Sequence, residues 1–151
     1  MNIIWHMVES FVRNVMKFNV VSINSSSTVS DAAKMMKDAS IGCVIITENN
    51  TAVGILTERD LVRKIIALQK PLSTSVKDIM STPLVMIDPD ESLWELAEMM
   101  KQKQIHKVPV VENGKLVGIV TATDLTRICS LGSGSEMSRI CTEIIARMQK
   151  I

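Results

Sequence analysis

Tyrosine is absent from this chain, and two Phe and two Trp are its only other aromatic residues. With so few stacking surfaces and a formal net charge of +1, the composition argues against a nucleic-acid groove and offers no field for gripping acidic lipid. Histidine occurs only at His6 and His106, and the cysteines Cys43, Cys129 and Cys141 form no C-x-x-C pair. No metal-ligand cluster of recognisable spacing results, and the odd cysteine count argues against a disulfide framework. Cys43 reads as a small buried hydrophobe within an apolar strand. The sustained apolar runs, 42–47 and 116–120, are of strand length and far short of a membrane span. Near the start, His6 and Glu9 interrupt the apolar letters without a basic leader or cleavage pattern. No signal peptide is therefore expected, and a cytoplasmic location is. A nucleophile-base pair, a phosphate-cradling glycine loop and paired histidines are also missing, which argues against an enzyme.

What the chain does contain is one unit written twice. Gly54-Ile55-Leu56-Thr57-Glu58-Arg59-Asp60 returns as Gly118-Ile119-Val120-Thr121-Ala122-Thr123-Asp124, 64 residues later. Laying residues 12–63 on 76–127 without a gap gives 19 identities in 52 positions, against about three or four by chance. Most are core letters that any repeated fold needs. Thr57 and Asp60, with their counterparts Thr121 and Asp124, are polar residues kept at one spacing directly after an apolar strand.

Each copy predicts strand, helix, strand, strand, helix. A short turn (Val12–Met16 or Val76–Met80) leads to a short strand at Val20–Ile23 or Leu84–Ile87. A helix follows, begun by the capping-box pairs Thr28 with Asp31 and Ser92 with Glu95. Its buried stripe is Val29, Ala32, Ala33 and Met36 in one copy and Leu93, Leu96, Ala97 and Met100 in the other, and the methionines, Met35 and Met99 included, read as core filling. Two apolar strands come next, joined by Glu48-Asn49-Asn50 or Glu112-Asn113-Gly114, which have hairpin chemistry. The second helix starts at Thr57 or Thr121. The fold class is α/β in the α+β sense, with two tandem units at 12–70 and 76–130 joined by a linker at 71–75. Outside them, an apolar stripe predicts a helix over Ile3–Met16, so that 1–11 forms an N-terminal helix before the repeat. After the Gly-Ser break, 131–151 carries a C-terminal amphipathic helix with Met137, Ile140, Ile144 and Met148 on one side.

On these motifs residues 12 to about 130 resemble a tandem pair of CBS domains, the cystathionine beta-synthase regulatory (Bateman) module. The carrying features are the two Gly-Ile-x-Thr-x-x-Asp strand ends at identical offset and Ile105-His106-Lys107-Val108-Pro109-Val110 before the second hairpin. The resemblance implies a pseudo-twofold module with two clefts between its copies, where AMP, ADP, ATP or S-adenosylmethionine binds as a regulatory ligand. It implies that Asp60 and Asp124 take ribose hydroxyls, that Thr57 and Thr121 contact ribose or phosphate, and that His106 and Lys107 meet phosphate, with Arg59 a further cation. The first copy has Gly42 and Cys43 where the second has His106 and Lys107, so the two sites cannot be equivalent.

The residues support this on their own terms. A helix start presents unpaired N–H groups to an anion, a carboxylate one turn in can accept from both hydroxyls of a ribose, and Gly54 and Gly118 let a planar base approach the backbone. The same Thr-x-x-Asp letters also make a plain capping box, and His106 and Lys107 read equally well as surface residues at a corner; a cap and a ligand clamp can coexist. The expected function is a non-enzymatic sensor that forms a homodimer and signals to another protein. A dimeric structural adaptor without a nucleotide is the alternative.

Overall fold

The computed structural model describes residues 11–130. The helix readings for 3–10 and for 133–148, with Trp5, His6 and Cys141, lie outside the described residues. The chain divides into two compact units, Val20–Val85 and, together, Met1–Asn19 with Met86–Ile151. Each is mixed α+β, as the repeat predicts.

In the Val20–Val85 unit, strand β1 (Ser22–Asn24) runs parallel to β2 (Cys43–Glu48), which pairs antiparallel with β3 (Thr51–Thr57). Helix α1 (Val29–Ala39) begins at Thr28, whose hydroxyl accepts from the Asp31 amide at 3.2 Å while the Asp31 carboxylate accepts from the Thr28 amide at 3.1 Å. It ends at Ser40, which turns into the left-handed region at φ 53°. The β2–β3 turn needs two consecutive positive φ values, and Asn49 (49°) and Asn50 (62°) adopt them, which suits a short hairpin between twisted strands. After β3 come α2 (Glu58–Asp60) and, continuing it, a π-helical stretch, Leu61–Ile66. Ile23, Val29, Ala32, Met36, Val44, Ile46, Leu56 and Ile65 form the core.

The other unit repeats this plan with α3 (Leu93–Lys103), β4 (Lys107–Glu112), β5 (Lys115–Thr121) and α4 (Ala122–Ser130). Ser92 caps α3 by accepting from the Glu95 amide at 3.1 Å. The first strand expected over Leu84–Ile87 shrinks to a single parallel bridge between Ile87 and Val110. Two prolines account for it, and the first is Pro89, 64 places after Ser25, whose amide donates to the Thr47 carbonyl. In the other unit the amide of Ile45 donates to the Val21 carbonyl; the residue 64 places on is Pro109, which has no N–H to give.

The leading turns exchange units. Val12 and Met16 are buried among Leu93, Leu96, Met100 and Val120, whereas Val76 and Ile79 join the core around Met36 and Leu56. Matching backbone bonds hold them: Val12 N–H donates to Glu91 O and Val76 N–H to Ser27 O, both at 2.9 Å. Matching ion pairs do the same, Arg13 with Glu112 and Lys77 with Glu48. The leading turn also corrects the helix reading over Ile3–Met16. Phe11 is extended, and only Val12–Asn14 form a 3-10 turn. The Val12 and Arg13 amides are committed to Glu91 O and Pro89 O, so they cannot continue an α-helix from the residues before them.

Met36 and Met100 are buried as the stripes predict. Cys43 departs from its reading: at the first position of β2, beside the chain's surface corner, it is half-buried rather than buried.

Candidate functional site

Both Thr-x-x-Asp motifs stand where a strand ends and a helix starts, and both form the reciprocal cap. In the first, one oxygen of Asp60, Oδ2, accepts from the Thr57 amide and hydroxyl, each at 2.9 Å, and the Asp60 amide donates to the Thr57 hydroxyl at 3.2 Å. In the second, Asp124 Oδ2 accepts from the Thr121 amide at 2.8 Å and hydroxyl at 2.9 Å, with the return bond at 3.3 Å. The plain-cap reading thus holds at both positions. It uses only one carboxylate oxygen in each.

The other oxygens differ. Asp60 Oδ1 pairs with Lys64 Nζ at 2.9 Å, and the same ammonium donates to the Ile79 carbonyl at 2.8 Å. Asp124 has a side chain only 3% exposed, and its Oδ1 has no hydrogen-bond partner among the described residues. Lys17 Nζ lies 3.4 Å from it and Arg127 Nη1 3.9 Å. These are ion pairs without a directed hydrogen bond. A buried carboxylate oxygen in that state carries a desolvation cost of about 1–3 kcal/mol, which a donor arriving from outside would offset.

The residues before each hairpin flank these acids. Lys107 is the ladder partner of Thr121, as Cys43 is of Thr57. The His106 carbonyl accepts from the Ala122 amide at 2.7 Å, and the Gly42 carbonyl accepts from that of Glu58 at 3.1 Å. His106 and Lys107, both half-buried, therefore belong to the same unit as Thr121 and Asp124. Arg59 is exposed on the first helical turn after Thr57.

Gly54 and Gly118 do permit a close approach, but what approaches is the chain itself. A Cβ at Gly118 would stand 2.9 Å from the Lys17 carbonyl and 2.9 Å from Met16 Sδ. At Gly54 it would stand 2.5 Å from Met80 Sδ and 3.1 Å from the Ser81 carbonyl. The exchanged leading segments cross the strands at these glycines, bridging Lys17 to Ile119 and Ser81 to Ile55. That crossing delivers Lys17 to Asp124. Lys17 and Lys64 were not among the expected site residues. An i,i+4 spacing from Asp60 signals Lys64, whereas no local signal reports a contact 107 residues apart in sequence.

This constellation can accept hydroxyl hydrogen bonds on carboxylate and offer cationic side chains to a phosphate. Among the described residues no group of His, Cys, Asp and Glu could hold a metal ion, and no helix is long and apolar enough to cross a membrane.

The family model for the CBS domain matches twice, over residues 12–67 and 76–130. The chain belongs to the CBS-domain family. Among curated relatives, the CBS domain-containing protein YhcV of Bacillus subtilis is 32% identical over 133 residues, covering 87% of this chain and 95% of that protein. Among solved structures, a putative signal-transduction protein with CBS domains from Burkholderia ambifaria superposes with a TM-score of 0.76 at 25% identity, over 83% of this chain and 97% of the other. The CBS domain pair of protein MJ0100, in complex with 5'-methylthioadenosine and S-adenosyl-L-methionine, superposes with a TM-score of 0.73 at 27% identity, over 80% and 96%. The tandem CBS architecture read from the sequence is thus the architecture of the chain.

Proposed function

We propose that this CBS pair is a non-enzymatic regulatory module whose Thr-x-x-Asp motifs hold the ribose of an adenosine-containing ligand. One observation carries the reading: Asp124 keeps one carboxylate oxygen buried and without a hydrogen bond, directly after a strand end flanked by His106 and Lys107. A ribose presents two neighbouring hydroxyl donors and can satisfy such an oxygen. Thr121 adds a hydroxyl, and Lys107 and His106 supply cationic or donor groups for a phosphate. Thr57 and Asp60 repeat the cap, with Lys64 as the cation at the acid and Arg59 exposed on the same helical turn for a phosphate. Gly54 and Gly118 serve by admitting the segments that bring Met80 and Met16 beside the motifs. The complex of the MJ0100 CBS pair with methylthioadenosine and S-adenosylmethionine supports the ligand class. The working form is a homodimer in the cytoplasm, and ligand binding is read by a separate protein.

Isothermal titration of nucleotide-stripped protein with AMP, ADP, ATP, S-adenosylmethionine and methylthioadenosine tests this. At least one should saturate, and Asp124→Asn should weaken it by roughly ten- to 150-fold, the value of a hydrogen bond to a charged group. Silence from all five on folded protein would refute the adenosine reading and favour a structural adaptor.

A further inference from the structure

The two motifs share Gly-Ile-x-Thr-x-x-Asp and form the same cap, but differ in what already occupies their acids. At Asp60 both carboxylate oxygens are engaged, one by the cap and one by a close ion pair. Oδ2 serves the cap, and Oδ1 holds the Lys64 ammonium at 2.9 Å, itself anchored on the Ile79 carbonyl at 2.8 Å. At Asp124 the cap is identical but Oδ1 is buried and unbonded, with Lys17 only at 3.4 Å and more than half exposed. Neither cation is part of the repeat: the residue 64 places after Lys64 is Ile128, and the residue 64 places after Lys17 is Ser81.

We infer that Lys64 is a built-in competitor for the ligand's hydroxyls, so that the chain has one open adenosine site, at Asp124, and one held shut, at Asp60. This rests on the adenosine reading above. A ribose hydroxyl reaching Asp60 must displace an ammonium that makes two short polar contacts, replacing an ion pair between two full charges by a bond in which only the carboxylate is charged. The displaced ammonium also leaves the Ile79 carbonyl without that donor. A hydroxyl reaching Asp124 meets cations that stand farther off, Lys17 at 3.4 Å on a side chain more than half exposed and Arg127 at 3.9 Å, and it gives Oδ1 a bond that it lacks. The difference is between breaking a close, anchored ion pair and supplying a hydrogen bond that is missing.

Methylthioadenosine is the discriminating probe, because it carries no phosphate and removal of a lysine cannot weaken a phosphate contact. Titrated into the full chain, it should bind at one site per chain. Lys64→Met keeps the aliphatic stem and removes the ammonium; it should add a second site per chain, at least about tenfold tighter than any second binding by the unaltered protein. Asp60→Asn placed on top of Lys64→Met should abolish that second site. Lys64→Arg, which retains a cation, should keep one site. Thermal unfolding of each variant confirms that it is folded. Two equal sites in the unaltered chain, or an unchanged single site in folded Lys64→Met, would overturn the competitor role while leaving the adenosine reading standing. No binding of methylthioadenosine by any variant would overturn the competitor role, and silence from AMP, ADP, ATP and S-adenosylmethionine as well would overturn both.

Discussion

Replacing Asp124 separates two roles that one carboxylate holds. Its Oδ2 caps the helix by accepting from the Thr121 amide and hydroxyl, and the carbonyl oxygen of an asparagine can accept both bonds. The charge does something else. It sits on a side chain only 3% exposed, its Oδ1 lacks a hydrogen bond, and its salt partner Lys17 is 53% exposed at 3.4 Å. That pair contributes at most about 1 kcal/mol, and removal of a poorly solvated oxygen offsets the loss. Asp124→Asn should therefore lie within about 1 kcal/mol of the unaltered protein. Asp124→Ala removes the carboxylate half of the capping box, the two bonds accepted from Thr121, and should cost about 1–2 kcal/mol. Urea denaturation followed by circular dichroism resolves the two. Methylthioadenosine titration on the same samples should show both variants impaired in binding. If asparagine destabilised as much as alanine, the buried charge would be a structural requirement and the separation of cap from ligand site would be wrong.

Gly118→Ala should cost about 1–3 kcal/mol, because its Cβ meets the backbone carbonyl of Lys17, which is fixed by reciprocal bonds with Ile119 at 2.8 and 2.9 Å. Gly54→Ala should cost less, since its nearest obstacle is the end of the flexible Met80 side chain; equal unfolding midpoints would contradict this. Stability should also fall in acid. The Lys77 hydrogen bond holds the Glu48 carboxyl below its ordinary range, and the Thr28 amide does the same for Asp31. A carboxylate lowered in the folded state contributes stability above its unfolded pKa and loses it as pH falls through the folded one. The midpoint temperature should therefore drop below about pH 4, and Glu48→Gln should flatten that slope; an unaltered slope would discount the Lys77 pair.

Much of the fold was legible because it is local. The caps at Thr28, Ser92, Thr57 and Thr121 need only a residue and its third neighbour, and the hairpin turns need only Asn49-Asn50 or Asn113-Gly114 in positive φ. Met36 and Met100 were placed inside by helical period alone. The shortened first strand of the second copy was legible in principle, since Pro109 was in view and a proline cannot donate to a neighbouring strand.

Repeat spacing established that one unit occurs twice and which letters fill its core, because propensity, period and capping act over a few residues. It could not establish which copy each leading turn packs against. Val12 and Val76 are both apolar and both precede a copy, and only long-range packing assigns Val12 to the core of Leu96 and Val76 to that of Met36. The same packing crosses Lys17 over Gly118 to Asp124 and anchors Lys64 on Ile79 beside Asp60. The sequence already made the two sites unequal at Gly42-Cys43 and His106-Lys107, and packing sets the cation beside each shared acid, because those contacts lie outside the motif itself.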